Sequence, residues 1–302
     1  VTADGRKVAF LKWVNRSSAY LADIEQNGTR VANPRSFAPS EGWDTPLDWT
    51  GDSKEIVFSS NRNGHLEIFK QSLDEDTAIP IVTGPNDDAD ARVSPDGAWL
   101  LYFASTMEDQ SGLLQVMRVP LTGGPSQLVL TSHPFNEFRC ARSPSTLCVI
   151  SERTGDRKQF VMTAFDPLKG RGAELARIDI DSEAKKFHWD LSPDGTRISF
   201  IKTPEAPIEI LSLRSHTTQV VHVKGWDNLD SVDWAADAKG FFIASRVHGG
   251  MVLLHVDLQG NANVLWKNQG SAGAFGRQSP DGRLLMIQDY RVEGNIWTLE
   301  NF

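Results

Sequence analysis

Ser94-Pro95-Asp96-Gly97, followed at once by Ala98-Trp99-Leu100-Leu101-Tyr102-Phe103, is the stretch that decides the fold. Pro at the second place presets φ near −65°, Asp at the third hydrogen-bonds within the turn, and Gly at the fourth accepts the positive φ that closes it. The apolar run that follows reads as a short buried strand. Related text begins at Thr2, Thr50, Ser143, Ser192, Ala235 and Ser279, each time with an aliphatic or aromatic run behind it, such as Ile56-Val57-Phe58, Ile198-Ser199-Phe200-Ile201 and Leu285-Met286-Ile287. The third positions are Asp4, Asp52, Asp96, Ser145, Asp194, Asp237 and Asp281, at intervals of 43 to 49 residues. A period of that size marks a repeat architecture.

Between turns the same text recurs. A strand of alternating character comes next, as in Leu114-Gln115-Val116-Met117-Arg118-Val119 and Ile208-Glu209-Ile210-Leu211-Ser212-Leu213; then a turn, a third strand such as Gln127-Leu128-Val129-Leu130, and a fourth that runs into the following repeat at Trp49, Val93, Leu191 or Trp234. Four strands per period of about 45 residues describe a β-propeller blade. No stretch sustains helical spacing of apolar residues, and a β-sandwich would not explain the period. The chain is therefore expected to be an all-β, seven-bladed β-propeller of four-stranded antiparallel blades filling residues 1–302 as a single domain, with six or eight blades as the alternatives. There are seven turn strands and seven second strands but six third and six fourth strands, so seven blades would need two strands supplied from upstream of Val1.

Composition bounds the function. The chain has 302 residues, 40% apolar and 23% charged, with nine Trp and fifteen Phe to fill blade interiors. A net charge of −8 argues against a sequence-independent nucleic-acid clamp, which needs a positive surface. No run reaches the roughly 18 apolar residues of a membrane-spanning helix, so membrane attachment would come only through a segment outside this chain. Val1 opens inside a repeat, which suggests a piece of something longer. Cys140 and Cys148 flank the Ser143 turn. Across a hairpin they could be close enough for a disulfide, which would imply an oxidising compartment; two separate buried thiols are the other reading.

The Ser-Pro-Asp-Gly turns at Ser94, Ser192 and Ser279, each with an aliphatic strand behind it, resemble the WD40-like repeats of the TolB-like propeller family, over the whole chain. Four stretches, Ala22–Arg30, Phe138–Cys148, Asp233–Phe242 and Leu299–Phe302, are similar to the C-terminal propellers of bacterial regulators, in which the propeller follows a serine/threonine kinase or winged-helix domain and a membrane span. That resemblance implies a periplasmic or otherwise extracytoplasmic sensor or protein-interaction domain serving signal transduction. The kinase Gly-rich loop and the helix-turn-helix pattern are both missing from these residues, so neither activity is carried over.

Catalytic signatures are not found: there is no Gly-x-Ser-x-Gly, no His-Glu-x-x-His, no phosphate-binding Gly-x-x-x-x-Gly-Lys-Ser/Thr and no Cys-x-x-Cys. His65, His133, His188, His216, His222, His248 and His255 lie in different repeats without metal-ligand spacing. No catalytic residue, metal or cofactor is assigned. An axial-site lyase or hydrolase on an oligosaccharide or peptide is kept as one alternative, and a TolB-like envelope protein that docks a partner as another.

A ligand would sit where connections from each third strand to the next innermost strand converge on one end of the central channel. Those connections put forward Trp43, Asp44, Asp88, Glu137, His188, Trp226, Asp227 and Phe275, a mixture of aromatic and acidic groups suited to a peptide, a protein segment or a small carbohydrate. Asp48, Asp190 and Asp233 each precede an apolar residue at the end of an innermost strand, where alternation turns them toward the channel. Arg92 and Arg277 occupy matching positions, so a mixed polar channel is expected rather than an acidic ring.

Overall fold

A computed structural model describes residues 7–40, 42–84, 89–104, 113–133, 137–183 and 187–300. The chain folds into six four-stranded antiparallel sheets arranged as blades. Five are built from contiguous sequence. The first holds strands Asp44–Trp49, Glu55–Ser60, Glu67–Ser72 and Ile79–Val82; the third holds Glu137–Cys140, Cys148–Arg153, Gln159–Asp166 and Gly170–Asp179. In each, the chain runs outward from the innermost strand to the outermost, then returns to the axis to start the next blade.

The sixth blade joins the two ends of the chain. Strands Ser271–Gln278 and Leu284–Glu300 form its inner half, and Lys7–Glu25 and Arg30–Phe37 its outer half. Six hydrophobic clusters follow, each shared by neighbouring blades. Phe37 and Leu21 of the closing blade pack with Trp49, Ile56 and Phe58 of the first, and Ala274 and Leu285 pack with Phe242 and Leu253 of the fifth. The ring is closed by apolar burial at every seam, which is the dominant favourable term in such a fold.

The expected seven blades are thus corrected to six. All 26 strand-like segments of the sequence have a place, because two pairs fuse. Val8-Ala9-Phe10 and the second strand of its repeat form one continuous strand of 19 residues, since nothing between Lys7 and Glu25 is Gly or Pro and no turn interrupts the run. Leu285-Met286-Ile287 and the last apolar segment fuse likewise, within the 17 residues of Leu284–Glu300. The two long strands pair from Lys7↔Glu300 to Asp23↔Leu284. No strand from upstream is therefore required to complete a blade. The far part of this pair extends past its flanking strands and leaves Trp13, Ile296 and Trp297 exposed. Trp13 packs over the backbone of Gly294, where a Cβ would lie 2.8 Å from its ring.

The turns that begin with Ser or Thr share one hydrogen-bond scheme. At Ser192, Oγ donates to Asp194 Oδ1 at 2.6 Å and accepts from Arg197 N at 2.9 Å, while Asp194 Oδ1 also accepts from Thr196 N at 3.0 Å. Gly195 takes φ +72°, which a Cβ would disfavour. Ser279 with Asp281 and Thr50 with Asp52 repeat the scheme, each hydroxyl donating at 2.6 Å. The Thr2 turn lies outside the described residues.

Candidate functional site: the axial channel

Thr50, Ser94, Ala141, Ser192, Ala235 and Ser279 are equivalent positions, because each donates its amide across the mouth of a turn, to Glu55, Trp99, Leu147, Arg197, Gly240 and Leu284 respectively. Two residues earlier on each innermost strand stand Asp48, Arg92, Arg139, Asp190, Asp233 and Arg277. Alternation turns all six to the axis, with Trp49, Leu191 and Trp234 buried in the blades between them. Three aspartates and three arginines therefore form one ring.

The ring divides the channel, since Asp233 and Arg277 line a cavity on either side of it. The turn-side cavity is the larger, about 510 Å³, walled by residues of the repeated turns such as Pro95, Asp194 and Asp281. Arg142 spans it: its Nη2 donates to the carbonyl of Gln278 at 3.0 Å, three blades away on the opposite side of the ring. The loop-side cavity, about 300 Å³, is lined four residues before each turn start by Pro46, Asp90, Glu137, His188, Ser231 and Phe275. No two of these six residues are alike.

Charges in the ring are paired unequally. Arg277 Nη2 lies 2.9 Å from Asp233 Oδ1, with Asp48 Oδ1 4.0 Å from Nη1. Burial disfavours its charge, but Asp233, Asp190 and Asp48 outweigh burial and hold the Arg277 pKa above the ordinary arginine value. Arg139 donates to Glu137 at 2.8 Å and lies 3.5 Å from Asp190; these two carboxylates likewise outweigh burial and raise its pKa. Burial pushes the Asp190 carboxyl up, and Asp233 adds to the effect against the pull of Arg277 and Arg139. Arg92 differs. Its Nη1 donates to the carbonyls of Leu47 and Ala91 at 3.2 and 2.7 Å, and its Nε, like that of Arg139, is buried with no hydrogen-bond partner. Burial, reinforced by Arg277 and Arg139, lowers its pKa to about 10, which leaves it cationic at neutral pH. Among the described residues, no carboxylate forms an ion pair with it.

The carboxylates also tie blades together. Asp48 Oδ2 accepts from Val93 N at 3.0 Å, and Asp190 Oδ2 accepts from Trp234 N at 2.9 Å, each reaching the next blade. These bonds satisfy amides at the inner seam that would otherwise be costly to bury.

Of the residues put forward from sequence, Glu137, His188 and Phe275 line the loop-side cavity. Trp43 stands beside it instead, packed at a tilt against Tyr290 with ring centroids 4.9 Å apart and donating through Nε1 to Thr45 Oγ1 at 2.6 Å. Asp44 is 2% exposed and holds Arg62 at 3.2 Å and Ser40 Oγ at 2.7 Å, so it ties a loop to the first blade. Trp226 packs against the core shared by the fourth and fifth blades, and Asp227 is exposed outside both cavities. Asp88 lies outside the described residues. Sequence reasoning missed Arg139. The third repeat's turn starts at Ala141 rather than Ser143, with a cis Ser143-Pro144 bond, so counting back from Ser143 lands on the wrong residue. Cys140 and Cys148 are directly opposed on paired strands, Cα atoms 4.0 Å apart, and are joined as a disulfide. Among the described residues, no three His, Cys, Asp or Glu side chains are grouped as a metal site, and His188 is the one histidine lining either cavity.

Similar folds occur in known proteins. A TolB candidate from Agrobacterium tumefaciens superposes with a TM-score of 0.69 at 17% identity, over 92% of this chain and 99% of that one. TolB from Acinetobacter baumannii gives 0.60 at 16%, over 92% and 66%. An oligogalacturonate lyase in complex with manganese gives 0.55 at 14%, over 90% and 77%. The chain thus has the fold of the TolB-like propellers. No protein-family model matches it. In sequence it is 25% identical over 171 residues to an uncharacterized protein of Agrobacterium fabrum, of which the match spans about half, 53%.

Proposed function

We propose that this propeller is a recognition domain that docks a peptide segment of a partner protein at the loop-side end of its channel. The observation that carries this reading is the contrast across the charge ring: the turn side is repetitive, internally hydrogen-bonded and spanned by Arg142, whereas the loop side presents six different residues around a cavity that no side chain spans among the described residues. Convergent loops of this kind supply specificity on a rigid scaffold. The likeness to TolB propellers agrees with a docking role at the level of fold. The Cys140–Cys148 disulfide supports an extracytoplasmic setting, because such bonds persist in oxidising compartments; alkylation in intact cells that labels both thiols before reduction would count against it. A role as the sensing part of a larger signalling regulator is consistent with the same site and rests on the sequence resemblance. The lyase reading draws on the oligogalacturonate lyase fold, but the dispersed histidines give it less support.

The test is selection of a random displayed peptide library on the purified protein, with selected peptides re-measured on variants. Binding is expected to fall with His188→Ala and Phe275→Ala and to persist with Pro95→Ala on the turn side. Selection of no sequence, or binding indifferent to the loop-side changes, would sink the proposal.

A further inference from the structure

Among the described residues, the loop-side cavity contains one arginine with no carboxylate ion partner. Arg139 is matched by Glu137 and Asp190, and Arg277 by Asp233 and Asp48. Arg92 is left on two backbone carbonyls, 6% exposed, with Nε unpartnered. Asp90 precedes it by two residues on the same strand and lines the cavity at an exposed position without forming an ion pair with it, and the field of Asp90 and Asp48 does not offset the burial and the repulsion from the other arginines. A guanidinium in this condition is an unfilled half of a fork-to-carboxylate pair.

We propose that the loop-side cavity recognises a carboxylate group of the docked peptide, held by the guanidinium of Arg92. This rests on the peptide-docking reading above and specifies its chemistry. A carboxylate supplies the fork partner that Arg92 lacks among the described residues, whereas a dianion such as phosphate would set a second charge against Asp90 and Glu137. The walls beside Arg92 include Pro46, Leu47, Phe275 and Met286, an apolar lining for the aliphatic or aromatic part of the residue that bears the carboxylate. At about 300 Å³, the cavity accommodates one or two residues rather than a folded surface. Two sources supply the same group, a free C-terminus and an Asp or Glu side chain.

The experiment is equilibrium dialysis of three defined tripeptide pools: neutral free acids, amidated tripeptides containing one Asp or Glu, and neutral amides. The free-acid or the acidic-side-chain pool is expected to bind about tenfold or more tighter than the neutral amides; the stronger of the two names the source. Arg92→Gln is expected to erase that preference and Arg92→Lys to retain part of it, since the charge persists without the fork. For the wild-type protein, the preference should shrink as salt rises from about 50 to about 500 mM; this arm stands even if Arg92→Gln does not fold. Equal binding of acids and amides, lost together with Phe275→Ala, would overturn the role of Arg92 while leaving docking intact. No binding of any pool by the wild-type protein would overturn both.

Discussion

The two ends of the channel are made by the same six innermost strands, yet they have opposite characters. On the turn side, Ser or Thr with Asp two residues on recurs at four of the six turns, and there each hydroxyl donates to the carboxylate of its own turn. Four residues further along each strand, toward the loops, no residue is repeated, and among the described residues the buried Arg92 beside them has no carboxylate ion partner. The repeat specifies construction, and the proposed recognition lies where the repeat is broken. The charge ring belongs to neither end: it is irregular in sequence but nearly self-neutral, and it joins the blades.

The largest expected effect lies in that ring. Arg277→Met would leave the half-buried Asp233, with Asp48 and the buried Asp190 near it, without the cation they share and is expected to cost about 3–5 kcal/mol, read from the midpoint of urea unfolding. Adding Asp233→Leu should return most of that loss; failure to do so would show that Arg277 acts by packing rather than by charge. Next is the disulfide, which spans a sequence separation of 8 residues. A loop of that size corresponds to about 2.5 kcal/mol by chain entropy, so Cys140→Ser with Cys148→Ser should shift the midpoint accordingly. On the turn side, Asp194→Ala removes the acceptor of Ser192 Oγ and Thr196 N and is expected to cost about 1–2 kcal/mol without altering ligand binding. Asp227→Ala, at an exposed position outside both cavities, should stay within about 0.5 kcal/mol.

Acid separates the same regions. Burial works against ionisation of Asp194 and Asp281, but bonds from Ser192, Thr196, Ser279 and Arg283 outweigh it and hold both carboxyls below the ordinary value of 3.8. The native state then binds these protons less tightly than the unfolded chain, so their contribution is complete above the unfolded pKa and is lost as pH falls through the native one. Asp190 has the opposite sign: burial raises its pKa, so it takes up a proton in the native state above 3.8, and its desolvation cost is relieved as pH falls. Asp194→Ala should flatten the stability profile below pH 3.8, and Asp190→Asn should change it above that value; the reverse assignment, followed by carboxyl NMR, would contradict this electrostatic division.

Much of the construction was legible in the sequence. Turn text followed by apolar runs located the strands of the five contiguous blades, because period-two burial and Ser-Pro-Asp-Gly chemistry are local properties. Blade number was not local. Whether Lys7–Glu25 bends into a hairpin or remains one strand depends on its pairing with Leu284–Glu300, nearly the whole chain away. The site was partly legible for the same reason. Glu137, His188 and Phe275 could be placed by counting along strands, whereas Arg139 was hidden by the shifted third turn. Trp43 and Trp226 read as ligand platforms because aromatic content is visible in sequence, but their packing partners, Tyr290 and the seam between the fourth and fifth blades, are not. Asp44 was indistinguishable from a channel residue until Arg62 and Ser40 were seen to occupy it.

The central claim is that the loop-side end recognises a partner and the turn-side end does not. It is tested most directly by placing a photoactivatable phenylalanine analogue at Phe275 or at Pro95 and irradiating cells that produce the protein. The account predicts a discrete protein adduct from position 275 that disappears in an Arg92→Gln background, and none from position 95. An adduct from position 95 with none from position 275 would contradict it.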